Sequence, residues 1–159
     1  WDAACERIAT WAVFRDLQTN KRFLVVNTHF DHVGKLARKN SALMIVEKAA
    51  AIAGDQPVII TGDFNGTKSD EPVQIIMQSG WLSDAQATAA HTEGPDWSFH
   101  DFGRTPQNER QLIDFIFVSK HFIVGDHQII SRQIGQTYLS DHNPVLAKIK
   151  LNYVNFGPL

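Results

Sequence analysis

KLARKNSALMIVEKAAAIAGDQPVIITGDFNG, residues 35–66, reads as a helix, a stop, a strand and a polar turn in immediate succession. Leu36, Leu43, Val46, Ala50 and Ala53 recur at helical spacing, and Arg38, Lys39, Glu47 and Lys48 lie off that stripe, so the spacing predicts a helix over Lys35–Ala53. Gly54 and Asp55 end it. Pro57–Thr61 (PVIIT) is a short, continuously apolar run of the kind found in buried strands. A helix that leads straight into such a strand places the chain in the α/β class.

Strands accumulate outward from that unit. On its N-terminal side, Ile8–Arg15 and Phe23–Thr28 are rich in Val, Thr and aromatic residues and flank Thr19-Asn20-Lys21, a hairpin turn. On the C-terminal side, Ser69 or Asp70 caps a second helix with Pro72 in its first turn and Gly80 at its close. Ala85 to Gln111 is polar, contains Gly and Pro, and reads as a long loop. Ile113–Val118 and Ile123–Ile130 are strands, and Val145–Leu151 sets Val145, Ala147, Ile149 and Leu151 against Lys148 and Lys150. Strands outnumber helices by about two to one, which favours a sandwich of sheets flanked by helices over a doubly wound sheet.

The whole composition bounds the function. A chain of 159 residues, 43% of them hydrophobic, suits one domain with a core of its own. Fifteen Lys and Arg against seventeen Asp and Glu leave a net charge of −2, without the basic footprint that a grip on long nucleic acid usually needs. A local patch stays open. The single Cys5 excludes an intramolecular disulfide and leaves the compartment unread, secreted and periplasmic locations included. No apolar run is long enough to span a bilayer.

The chemistry-bearing residues share one placement. Asn27-Thr28-His29 and Asp31-His32 end the FLVV strand, and Asp63 and Asn65 follow VIITG. Asp114 opens IDFIFV, and Ser140-Asp141-His142-Asn143 immediately precedes the last strand. Polar groups at strand ends can converge on one mouth of a sheet, held rigidly yet open to solvent. Asp, Asn and His together supply hard oxygen ligands for Mg²⁺ or Mn²⁺ and a group that titrates near neutrality. Taken singly, Asp63-Phe64-Asn65 between Gly62 and Gly66 is equally an ordinary turn. Asp141-His142 is equally a loop end with a capping Asp. Asp114 resists the bland reading, because an acid inside an apolar strand is costly unless paired or ligated. Trp97-Ser98-Phe99-His100 offers aromatics that either stack on a substrate ring or pin the loop to the core.

Together, NTHFDH (27–32), TGDFN (61–65), IDFIFVS (113–119) and SDHNPV (140–145) resemble, in order and approximate spacing, the endonuclease/exonuclease/phosphatase superfamily of DNase I-like fold. The resemblance covers roughly residues 1–151. It implies part of a four-layered α/β sandwich with mixed, mainly antiparallel sheets, and a metal-dependent hydrolase of phosphoester bonds: a phosphodiesterase, a phosphatase or a true nuclease. The cofactor it implies is Mg²⁺ or Mn²⁺. The opening WDAACERIATW is similar to a subgroup of small secreted or uncharacterised bacterial members.

Carried over position by position, the resemblance implies that Asp63 orients or deprotonates the attacking water or ligates metal. Asn65 binds the phosphoryl group and holds Asp63. Asp141 resembles the metal-side aspartate. His142 acts on the phosphate with its tautomer set by Asp114, His29 sits near a phosphoryl oxygen, and Arg7 meets the phosphate. All of these except Arg7 are expected to face one cleft, with Asp114 in hydrogen-bond reach of His142. His121 and His127 are expected to stand outside the chemistry. The superfamily's N-terminal half, which supplies an Asn and a metal-binding Glu, has no match here, so residues 1–159 are expected to be the C-terminal part of one such domain. An uncovered sheet face is then expected to take that missing half or a second copy, or to make the chain a catalytically incomplete binding module.

Overall fold

The computed structural model describes residues 1–152; the last seven residues of the expected domain lie outside the described ones. A five-stranded sheet is built from β1 (Ala9–Arg15), β2 (Arg22–His29), β3 (Val58–Asp63), β6 (Asp114–Ser119) and β4 (Leu82–Asp84), adjacent in that order. Only the β2–β3 pair is parallel, joined through helix α1 (Lys35–Ala53); the other three pairs are antiparallel. A second sheet has the order β10 (Val145–Leu151), β7 (Phe122–Ile129), β5 (His91–Glu93). β8 (Gln133–Ile134) and β9 (Thr137–Tyr138) form a small hairpin, and α2 (Glu71–Met77) and α3 (Ala85–Thr88) complete the elements with two 3₁₀ turns.

Each strand of the large sheet divides its residues between two faces. Leu24, Val26, Val58, Ile60, Phe115 and Phe117 point to one side and bury against α1 and α2. Ile59, Ile116 and Val118 point to the other, where Val124 of β7 and Ala147 and Ile149 of β10 cover them. Helices, sheet and sheet are therefore three layers of an α/β sandwich. The cover stops short of β1: Phe14 is 49% exposed, stacked on Phe23, whose ring in turn meets the edge of Phe122.

Two expectations need correction. Helix α1 has the expected limits, but its buried stripe is Ala37, Ala42, Ile45, Ala49 and Ala53, whereas Leu36 and Leu43 stand half exposed. The small alanines face the sheet in the core cluster, where their size allows a close approach that leucines would hold off. The Ala85–Gln111 stretch is not all loop: it carries α3, β5 and both 3₁₀ turns. Asp84 starts α3 by accepting the Gln86 N–H at 2.9 Å, and β5 extends the second sheet in parallel with β7.

Candidate active site

Strand register assembles the site. His29 ends β2, Asp63 ends β3 and Asp114 begins β6; His29 pairs with Asp63, and Asp63 with Asp114, across the sheet. Three adjacent strands thus present a His–Asp–Asp row on one face. Two devices shape the row. Gly62 lets β2 come close, since a Cβ there would lie 2.0 Å from the Thr28 carbonyl oxygen. Past β3 the chain turns sharply at Asn65, in left-handed conformation (φ 46°), which Asn tolerates better than most residues. The Asn65 N–H donates to Asp63 Oδ1 at 2.7 Å, and its side-chain amide donates to the Phe30 carbonyl at 2.9 Å.

His142 reaches the row from the turn before β10. Its Nδ1 lies 2.7 Å from Asp114 Oδ2, and its Nε2 lies 3.8 Å from Asp63 Oδ2. His29 Nε2 approaches the same Asp63 oxygen at 3.2 Å. The Asp114 contact raises the affinity of His142 for its proton; burial opposes this, and the charges of Asp114, Asp63 and Asp141 reinforce it. Burial also lifts Asp63 above the usual carboxylate range. The Asn65 N–H pulls it back, the Asp114 charge adds to the rise, and both histidines oppose it. The result is a cleft of about 580 Å³ in which a half-buried acid and two imidazoles face one space.

Not every expected residue faces it. His29, Asp63, Asp114 and His142 line the cleft; Asn65 and Asp141 are not among its walls. Asn65 stands behind Asp63. The half-exposed Asp141 carboxylate accepts the Ser140 hydroxyl at 3.2 Å. Arg7 is turned elsewhere, 3.7 Å from Asp31 and 3.1 Å from the His32 ring. Asn27 and Ser140, which belong to the polar clusters at the strand ends but carry no role in the resemblance, also line the cleft; the two-residue period puts Asn27 on the same face as His29. Trp97 is buried under Arg110, 4.4 Å over its ring, so it anchors its loop, while Phe99 sets its ring edgewise to His142 at 5.0 Å.

Asp63, Asp114 and His142 place potential ligand atoms within 4.8 Å of one another. Two carboxylates side by side, Asp63 raised first by burial and further by the Asp114 charge, form an oxygen-rich set that a hard divalent cation would relieve. Cys5, Asp31 and His32 also converge, but Asp31 is spent on structure. Its oxygens accept the N–H groups of Ala4, Cys5, Val33 and Gly34, and these bonds, Gly34's foremost, hold it far below the usual carboxylate range against its burial.

The sandwich with this cleft at its strand ends is the architecture of a phosphoester-hydrolase class. Residues 6–142 match the Endonuclease/Exonuclease/phosphatase family, and the chain belongs to it. Members of that family are hydrolases acting on phosphoesters and generally use divalent metals. An endonuclease/exonuclease/phosphatase of Bacteroides vulgatus is 46% identical, with a TM-score of 0.90 over 96% of this chain and 58% of its own. A mannosyl-6-phosphatase of Bacteroides thetaiotaomicron is 31% identical, with a TM-score of 0.86 over 95% of this chain and 60% of its own. Protein angel of Drosophila melanogaster is 29% identical over 123 residues, 72% of this chain and 34% of that protein. The chain thus spans about three-fifths of these solved relatives and a third of the Drosophila one.

Proposed function

We propose that the protein hydrolyses a phosphoester bond at the Asp63 cleft with the help of Mg²⁺ or Mn²⁺. The observation that carries this reading is the contact set around one oxygen: Asp63 Oδ2 has His29 Nε2 at 3.2 Å and His142 Nε2 at 3.8 Å, with His142 anchored by Asp114 at 2.7 Å. The ion would be held by Asp63 and by Asp141, the acid next to His142 at the rim of the cleft. Bound there, it neutralises phosphoryl charge and polarises a phosphoryl oxygen. Asp63, made more basic by burial, orients the attacking water and takes its proton. His142, its proton held more firmly through Asp114, presents positive charge to the phosphate. His29 steadies the Asp63 oxygen, Asn65 keeps the Asp63 loop in place through its N–H bond to Asp63 and its side-chain amide bond to the Phe30 carbonyl, and Arg7 adds positive charge beyond the cleft.

The relative named a mannosyl-6-phosphatase makes a phosphorylated sugar the first substrate class to test, and the net charge of −2 favours such a small substrate over long nucleic acid. We read residues 1–159 as the C-terminal part of one domain that an N-terminal part completes. The deciding assay offers a sugar 6-phosphate and a generic phosphodiester to the chain, alone and with that N-terminal part supplied, at millimolar Mg²⁺. Hydrolysis of the sugar phosphate that disappears on chelation and in Asp63→Ala is expected. Failure of the completed domain to cleave either substrate with any divalent cation sinks the reading. Cleavage of RNA or DNA instead, with steep salt dependence, would assign it to the nucleases.

A further inference from the structure

Four residues that take no part in the chemistry touch both halves of the Asp114–His142 pair. Residues 97–100 run between the start of β6 and the turn before β10, and Phe99 makes bridges to Gln111 on one side and to His142 on the other. Ser98 is fully buried. Its hydroxyl oxygen accepts the N–H of Ile113 at 3.1 Å and of Asp114 at 3.2 Å, and its carbonyl accepts the Asn143 N–H at 2.7 Å. The N–H groups of His100 and Asp101 both donate to the Asp141 carbonyl, at 3.0 and 3.1 Å. The residues before and after His142, and the backbone of Asp114 itself, are thus tied to one short segment.

The far end of the segment is costly to build. Asp101, Phe102 and Gly103 follow one another in left-handed conformation (φ 48°, 53° and 84°), which only the glycine adopts freely. That turn delivers the Gly103 N–H to the His100 carbonyl at 2.8 Å and to its Nδ1 at 3.0 Å. The imidazole is fully buried between Trp97 and Tyr138, and a Cβ on Gly103 would strike the Tyr138 ring at 2.7 Å. Strain of this kind persists where the surroundings over-determine it, and here it keeps His100, and with it the Asp141 peptide, in one place.

We infer that Trp97–His100 is a clamp that holds Asp114 and His142 at their 2.7 Å contact before any substrate arrives, with Ser98 and His100 as its positioning residues. Its catalytic weight rests on the function proposed above, but the clamp concerns resting geometry, so its test needs no activity. In the chain as it stands, an exchange-protected imidazole N–H resonance at His142 Nδ1 reports the contact by NMR, and Asp114→Asn assigns it. Ser98→Ala and His100→Leu are expected to abolish that resonance while the amide spectrum stays dispersed. His100→Asn, whose amide oxygen can accept the Gly103 N–H, is expected to restore it, and His127→Gln to leave it unchanged. Its survival in both Ser98→Ala and His100→Leu, with only the melting temperature lowered, would overturn the clamp in favour of a merely structural role. Should those variants unfold, the wild-type chain decides on warming. The resonance must vanish together with protection of the Ile113, Asp114 and Asn143 amides; a resonance that outlasts them refutes the inference.

Discussion

Asp63 is the residue on which the site turns, because its Oδ2 meets both His29, at 3.2 Å, and His142, at 3.8 Å. In a preparation that hydrolyses a phosphoester, Asp63→Ala and His142→Ala should each lower kcat by at least roughly 10²–10⁴-fold, the usual worth of a positioned acid or base. Melting temperatures should change little, since both side chains face the cleft. His127→Gln should keep near-normal activity, because His127 is a buried residue of β7 near Lys68 and Asp84 and does not line the cleft. Its effect belongs to stability instead. Burial lowers the proton affinity of His127, with Lys68 adding to this and Asp84 opposing it. Below about pH 6.5 the unfolded chain therefore takes up a proton that the folded His127 refuses. Stability is present above that pH and is lost as the pH falls through the window beneath it. Thermal melts from pH 7 to 5 should show a shallower decline in His127→Gln than in the wild type; equal slopes would show that His127 does not titrate differently on folding.

At the scale of elements, β3 and the turn after it carry both the core and the chemistry. Phe64, fully buried between Asp63 and Asn65, packs its ring at 5.0 Å from Phe30 and 5.2 Å from Phe117. Phe64→Ala should cost about 3–5 kcal/mol in denaturant unfolding and loosen the catalytic turn with it. Gly62→Ala should cost a comparable, roughly 3 kcal/mol by driving a Cβ into the Thr28 carbonyl, so β2 and β3 must part at the site. Much of this was legible in the sequence. The polar clusters at strand ends and the period-two strands carry their own placement, because a residue's face in a sheet follows from parity alone. The phase of α1 did not read correctly, since hydropathy rewards Leu36 and Leu43 while the close packing uses Ala42 and Ala49. Ser98 and His100 were equally silent as supports. They act largely through backbone groups of residues 13 to 45 positions away, a partnership no local pattern records.

Over the whole molecule, the two sheets cover each other only in part, and what they leave bare predicts how the chain behaves in solution. Among the described residues, β1 and β10 are edge strands of their sheets, each seven residues long, and pair with a neighbouring strand on one side only. Where the cover of the second sheet ends at Phe122 against Phe23, Phe14 stacks on the outer side of Phe23 with its own ring half exposed, and Ala12 is exposed beside it. An apolar sheet face and a bare edge are together a strong invitation to association. With a net charge of only −2, long-range repulsion does little to prevent it. The chain by itself should therefore self-associate through the Phe14 face, with an apparent mass in light scattering that rises with concentration. Phe14→Glu should shift it toward monomer, because the exposed position tolerates a charge in the free chain while an apolar contact does not. Adding the N-terminal part of the domain should replace the self-associated species by a one-to-one complex, and phosphoester hydrolysis should rise with that complex. A chain that stays strictly monomeric at every concentration and is already fully active would overturn the incomplete-domain reading, and would require an acid within these residues to complete the metal site.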